Sequence, residues 1–485
     1  MKTLIEGGWV VAFDGARHEL YQNGAVVFEG DRIVHAGGPY AGAADTRIDA
    51  RGKLVSPGFI NTHIHTAGAG GDWMLQDLSR DDWRTANYMV FAAPLKGRQK
   101  PPPPEAVAAL RAFVLLHALK GGSTTILDVG GQRGDWDGYA ALVERVGLRV
   151  YTSPPFHCAA MWTDEQGRVY WDPGDEELGR KGLAEAVAFI EKYDGAAQGR
   201  LRGLLSPAHV EDSSPALLRA AVEAQRELNV PMHTHAGGNL IEFHKVLSEH
   251  RKTPIRFLAD LGFLNERTIV GHGVFTTAHP WTHHPFGDDV KALADSGATV
   301  GHCPYKYGKM AMTLHSFQRY LDAGVRLALG TDTYPMDMVS ELRMGAVLAR
   351  VTDGNYQAGQ PRDLYNAATL GACRLLARDD LGRLRVGGKA DLLLIDLDHM
   401  GCAAYRDPIK ALVDFGTARD IDTVIVDGRT LISGGRHLHL DEAEVFARAQ
   451  QATAVYWKSV PNWHWAGLDI DRIVPPAFPI HRTDG

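Results

Sequence analysis

Cysteine is scarce. There are four in 485 residues, at Cys158, Cys303, Cys373 and Cys402, and none form a C-x-x-C pair. That scatter excludes a disulfide framework and reads as reduced thiols in a cytoplasmic protein. Excess basic charge is also absent. The net charge of -7 argues against a nucleic-acid binder, which would show a basic face. No apolar run approaches the ~20 residues of a membrane span. The opening Met1-Lys2-Thr3-Leu4-Ile5 lacks the extended apolar core of a secretory leader. No internal repeat appears beyond an alternation of strand and helix patterns. What remains is an ordinary globular balance, 45% apolar and 22% charged, with length for about three domains or one large barrel with additions.

Histidine is plentiful, 22 in all, and placement matters more than number. In Pro57-Gly58-Phe59-Ile60-Asn61-Thr62-His63-Ile64-His65 an apolar, partly β-branched run reads as a strand. Side chains two apart on a strand share a face, so His63 and His65 project together while Ile64 turns into packing. Two neutral imidazoles side by side are half of a divalent-metal site.

Residues 1–56 read as short strands separated by Asp14-Gly15, Glu29-Gly30 and Gly37-Gly38 turns. They are too few to bury a core alone. Residues 57–385 repeat strand, loop and helix. Further strands are expected at 122–129, 148–152, 201–206, 230–235, 268–272, 298–302 and 325–332. Between them, Pro215 to Ala224 carries helical spacing behind Ser213-Ser214 as caps. Eight strands separated by helices fit a (β/α)8 TIM barrel, whose chemistry gathers at the C-terminal strand ends. Leu95 to Pro104, with four consecutive prolines, is a stiff insertion, either a surface loop or part of a pocket rim. Residues 386–440 turn β-like again, with Asp427-Gly428 as a hairpin signal, and are expected to complete a small β-sandwich begun at the N-terminus. Residues 441–485 read as a helix and an irregular tail.

The strand ends supply His63 and His65, His233 and His235, His272, His302 and Asp332. Four or five N/O ligands at one barrel mouth suit one Zn²⁺, or Fe²⁺, Co²⁺ or Mn²⁺. Such a metal lowers the pKa of bound water to about 7. Asp332 is the carboxylate placed to take that water's proton and pass it on. His233 reads as packing or support, Asp337 as structural, and His279-Pro280-Trp281-Thr282-His283-His284 as an exposed loop after the sixth strand.

Together these motifs resemble the amidohydrolase superfamily, in its chlorohydrolase/aminohydrolase branch of triazine hydrolases and cytosine- and guanine-type deaminases. His233-Thr234-His235, Gly271-His272-Gly273, His302-Cys303-Pro304, Gly330-Thr331-Asp332, Gly388-Lys389-Ala390-Asp391-Leu392 and Val426-Asp427-Gly428-Arg429 carry the likeness beside the first motif. It implies a metal held by His63, His65, His235, His272 and Asp332; His272 either completes the metal shell or orients the water. It implies a homo-oligomer, and substrate contacts at His209, a position that often meets substrate in this branch. His302, Asn239, Trp73 and Tyr305 are further candidates for the pocket wall.

Two departures bear on activity. The fourth strand ends Leu205-Ser206-Pro207-Ala208-His209, without the lysine that bridges two metals elsewhere in the superfamily, which favours one metal. Gly238 stands where deaminases of this branch carry a proton-shuttling Glu, with Glu242 a helical turn further on. A further difference is Tyr305-Lys306-Tyr307 after His302-Cys303-Pro304, in place of the family's usual Ser-Asn pair. The expected activity is therefore metal-dependent hydrolysis of a C–N bond in a small amide, urea or carbamate. The alternative is deamination of an amino-substituted heterocycle.

Overall fold

The computed structural model describes residues 1–74, 94–98, 100, 102–130, 134–402 and 404–481. Both ends of the chain build one nine-stranded sheet. Its strands run, in spatial order, Arg436–His437, Arg429–Ser433, Ile421–Val426, Leu392–Asp396, Lys53–Pro57, Lys2–Phe13, His18–Glu29 and Arg32–Gly37, with Thr46–Asp49 parallel to Lys2–Phe13. The two ends meet where Leu392–Asp396 lies antiparallel to Lys53–Pro57. Ile5, Val10, Val26, Val55, Leu392 and Ile425 form a small apolar core of their own here. The structure thus joins both chain ends in one sheet.

Gly58 is the joint between this sheet and the next layer. A Cβ at this position would strike the Thr124 side chain, so only glycine lets the chain pass. Beyond it lie two four-stranded parallel sheets. One contains Phe59–Ile64, Ser123–Asp128, Arg149–Thr152 and Leu201–Gly203. The other contains Met232–Ala236, Thr268–His272, Thr299–His302 and Arg326–Leu329. The two sheets are not one continuous ladder. Single parallel bridges cross the seams, Leu205 to Met232 and His209 to His235 on one side, Ile64 to Asp332 on the other. Pro207 and Pro231 flank the first seam and lack the N–H groups that a longer ladder needs. At the second seam Asp332 adopts φ 60, which turns the chain out of strand geometry.

Helices alternate with these strands. Pro215–Leu228 starts as expected, with the Ser214 side chain accepting from the Leu217 N–H, and ends at left-handed Asn229. Asp337 caps Met338–Asp353 by accepting from the Val339 and Ser340 N–H groups, a structural role as read from sequence. Pro104 opens the helix Pro104–Lys120, while Leu95 bridges to Thr163; Pro101 lies outside the described residues. The C-terminal helix Glu442–Trp463 lies against Pro104–Lys120.

The Lys389-Ala390-Asp391 and Asp427-Gly428 motifs clamp the layers together. Arg149, 2% exposed, donates to Asp391 at 3.1 Å and Asp427 at 2.9 Å, and Lys389 meets Asp427 at 2.8 Å. The Asp427 N–H also donates to Asp391. Removing either carboxylate from this buried cation would be costly, and this fixes the sheet against the strand Arg149–Thr152.

Candidate active site

The alternation at the first strand end is as the sequence requires. Ile64 is fully buried in the core, and His63 and His65 point the other way with Nε2 atoms 3.3 Å apart. His235 Nε2 lies 3.3 Å from His65 Nε2. Asp332 Oδ1 lies 3.3 Å from His65 Nε2 and 3.8 Å from His63 Nε2, and Asp332 Oδ2 lies 3.6 Å from His272 Nε2. Donors about 2.1 Å from a tetrahedral ion stand about 3.4 Å from one another. The spacing of these donor atoms therefore matches a cation in their midst. His63, His65 and His235 form one set that can hold an ion, and His63, His272 and Asp332 a second, sharing His63.

Protonation agrees with that use at three of the four imidazoles. Burial pushes His63, His235 and His272 well below the usual imidazole range, so their lone pairs are free. Burial acts on His65 in the same direction, but the Asp332 carboxylate outweighs it and raises His65. Burial would raise Asp332, yet the Lys306 ammonium and the His272 ring hold it well below the ordinary carboxylate value.

Supporting bonds select the tautomers. His235 Nδ1 is 2.7 Å from the Ala208 carbonyl, which can only accept, so Nε2 of His235 is bare. His63 Nδ1 is 3.0 Å from His233 Nε2, and donation from His63 leaves its Nε2 bare as well. His233 thus supports a neighbour, as its sequence position suggested. The backbone is strained at two of the five groups, His272 at φ 86 and Asp332 at φ 60. At Asp332 the cause is visible: the Thr331 and Asp332 N–H groups both donate to the His63 carbonyl. Glycines make room for the rings. A Cβ at Gly271 would come 2.5 Å from His233 Nε2 and 2.8 Å from His63 Cε1, and one at Gly330 would press the His63 backbone.

A cavity of ≈ 290 Å³ opens over these groups. His65, His209, His235, Asn239, His272 and Asp332 line it. The His209 ring stacks on that of His235, with centroids 4.3 Å apart. Trp73, His302 and Tyr305 are not among the described lining residues. Trp73 instead packs edge-on against Phe113 and Tyr334. His302 is 1% exposed and buried under its strand end. Pro304–Lys309 is helical, and its rotation turns Lys306 and Tyr307 to the cavity in place of Tyr305.

Lys306 is the cavity's fixed cation. Its Nζ lies 3.0 Å from Asp332 Oδ2 and 4.0 Å from the centre of the Tyr307 ring. Sequence reasoning registered the Tyr-Lys-Tyr departure but did not assign Lys306 to the site. Asp72 and Glu242 also line the cavity. The expected exposed loop is mixed: His279 is buried, its Nδ1 accepting from the Trp281 N–H, while Trp281 is 39% exposed.

Residues 54–431 match the amidohydrolase family. A 5-methylthioadenosine/S-adenosylhomocysteine deaminase of Desulforudis audaxviator is 30% identical over 471 residues, covering 95% of this chain and 100% of the relative. A 5'-deoxyadenosine deaminase of Methanosarcina acetivorans is 27% identical, covering 93% and 97%. Among solved structures, an adenosine deaminase from Xanthomonas campestris with bound zinc superposes at TM-score 0.76 with 22% identity, covering 93% of this chain and 98% of that one. The zinc-complexed atrazine chlorohydrolase of Arthrobacter aurescens TC1 superposes at 0.76 with 22% identity, covering 93% and 100%. These neighbours imply an α/β fold of TIM-barrel type. From the family match across most of its length and a 30% identical relative covered from end to end, the chain belongs to the amidohydrolase family and is a metal-dependent hydrolase of C–N bonds.

Proposed function

We propose that His63, His65, His235, His272 and Asp332 hold one divalent cation, Zn²⁺ in the first instance, and that the enzyme removes an amino group from a small nitrogen heterocycle. The observation that carries this reading is the 3.3 Å spacing of His63, His235 and Asp332 donor atoms about His65 Nε2. The cation supplies Lewis acidity, making water a nucleophile at neutral pH and polarising the bond to be attacked. Asp332 accepts the water's proton at a carboxylate oxygen, and its ion pair with Lys306 keeps that carboxylate ionised beforehand. His272, 3.6 Å from Asp332 Oδ2, orients it. His209 and Asn239 bound the space that the substrate ring enters. The eight parallel strands act as one closed barrel, supported by the bridges across both seams, and the nine-stranded sheet, a single sheet in place of the expected sandwich, forms the small β domain beside it.

The relatives named as nucleoside deaminases favour the amino-heterocycle substrate. Hydrolysis of an amide, urea or carbamate is the second reading, motivated by Gly238, which stands where deaminases of this branch carry their glutamate. Four free, buried cysteines are in keeping with a cytoplasmic protein. No helix among the described residues is long and apolar enough to cross a membrane. A homo-oligomer remains the proposal drawn from the resemblance.

The test is metal analysis with ammonia release. Purified protein should hold one equivalent of zinc and liberate ammonia from adenosine, 5'-deoxyadenosine or an amino-s-triazine. H235A should lose the metal and the activity together. Absence of stoichiometric metal after zinc loading would overturn the reading. Amine release from aryl ureas with no ammonia from the heterocycles would select the second one.

A further inference from the structure

Gly238 removes the usual proton carrier, but a second carboxyl reaches the same space. Asn239 caps the helix Leu240–His250, its side chain accepting from the Glu242 N–H. That places Glu242 in the first turn with its side chain curled back over the start of the helix. Glu242 Oε1 accepts from the Gly237 N–H at 2.5 Å, and Oε2 accepts from the Gly238 N–H at 2.8 Å. Each carboxyl oxygen retains a second lone pair, and Glu242 lines the cavity. A Cβ built on Gly238 would lie 3.4 Å from Glu242 Oε2 and 3.2 Å from His272 Cδ2. The missing side chain at 238 would therefore begin in space that already touches both the Glu242 carboxyl and the His272 ring.

We propose that Glu242 is a catalytic residue, the acid that protonates the leaving nitrogen from a position Gly238 leaves open. This rests on the amino-heterocycle reading above and deepens it. Water's oxygen bonds to the ring carbon, and one of its protons passes to the protein. The C–N bond breaks with its electron pair going to nitrogen. The Glu242 carboxyl gives its proton to that nitrogen, the amine departs, and the carboxylate is reprotonated by the proton the water gave up. One water is consumed and one C–OH and one N–H are formed. Burial raises the Glu242 carboxyl against the pull of its backbone N–H partners, so a protonated fraction is present near neutral pH.

Chloride leaves without a proton, and an amine does not. Zinc-loaded wild type and E242Q are compared on adenosine against 6-chloropurine riboside, and on an amino- against a chloro-s-triazine, with zinc content and melting temperature measured on the same samples. A positioned acid contributes about 10²–10⁴-fold. E242Q should therefore lose at least 100-fold in kcat for amine release and less than tenfold for chloride release. G238E in the E242Q background should recover tenfold or more of the amine rate, since the His272 ring needs to give by only a few tenths of an ångström. Should E242Q fail to fold, E242D retains the carboxylate acceptors, draws the acid back by one methylene, and should show the same split. Equal losses on both leaving groups, or no loss on either, overturn the proposal as a merely structural contact. Wild type that releases chloride but not ammonia also overturns it and leaves the metal reading standing. Metal-loaded wild type inert on all four probes overturns the amino-heterocycle reading and this inference with it.

Discussion

Lys306→Met keeps length and apolar stem while deleting one buried charge. The ammonium it removes is 3.0 Å from Asp332 Oδ2, and the side chain is only 9% exposed. Unit charges about 4 Å apart at an effective dielectric of about 20 attract by roughly 4 kcal/mol. In the wild type, a cation bound by Asp332 has to share that carboxylate with the ammonium and is repelled by it. Both effects weaken metal binding, so both reverse in the variant. Recovering about a third of the pair energy gives ~1.4 kcal/mol, which is tenfold in Kd. Zinc should bind K306M at least tenfold more tightly, measured by competition of apo-protein against a chromophoric chelator at pH 7.5. Turnover should fall, because Asp332 loses the partner that holds its orientation. In an Asp332→Asn background the gain should shrink, since the shared carboxylate is gone. An unchanged or weaker zinc affinity in folded K306M would refute the argument, because Asp332 would then not be a ligand under tension from Lys306.

Gly271→Ala places a methyl 2.5 Å from His233 Nε2 and 2.8 Å from His63 Cε1, so the rings must shift. It should cost about 1–3 kcal/mol of stability and lower the bound zinc below half an equivalent, read by chemical denaturation and metal analysis; full zinc content at wild-type stability would contradict this. His302 is neutral in the folded protein, because burial pushes it from 6.5 down to about 3. Below pH 6.5 the unfolded chain takes a proton there and the folded chain does not. The stability from this group is thus complete above 6.5 and is lost as pH falls towards 3, by up to ~1.4 kcal/mol per pH unit. His302→Gln removes the titration, so the stability gap between wild type and H302Q should narrow from pH 6.5 to 4.5 in denaturant melts, and a gap independent of pH would count against a buried neutral His302.

The strand ends were legible because two rules act locally. Side chains two apart share a face, which paired His63 with His65, and barrel chemistry gathers at C-terminal strand ends, which brought His233, His235, His272, His302 and Asp332 into view, a set that the family resemblance narrowed to His235, His272 and Asp332. The meeting of Leu392 with Pro57 was expected in outline only, since pairing partners so far apart in sequence leave no mark beyond a β-like pattern at each end. The seams were not legible at all. They depend on how Pro207, Pro231 and the turned backbone of Asp332 interrupt hydrogen bonding between strands brought together by the whole fold.

The pocket wall was legible in part: His209 and Asn239 line the cavity, while His302 is buried at its strand end. Trp73 and Tyr305 were chosen by proximity in sequence to a ligand, but direction on a helix changes by about 100° per residue. Rotation in Pro304–Lys309 exchanges Tyr305 for Lys306 and Tyr307. The same point decides how Gly238 is understood. Read along the chain, it is the loss of a titrating group three residues after His235. Read in space, it is a gap whose edge is formed by the Glu242 carboxyl, returned there by the Asn239 cap and the Gly237 and Gly238 N–H groups. A glycine at 238 and a glutamate at 242 are therefore read together: the Glu242 carboxyl oxygen stands 3.4 Å from where a side chain at 238 would begin, so the acid lost at the first position has a counterpart within contact distance at the second.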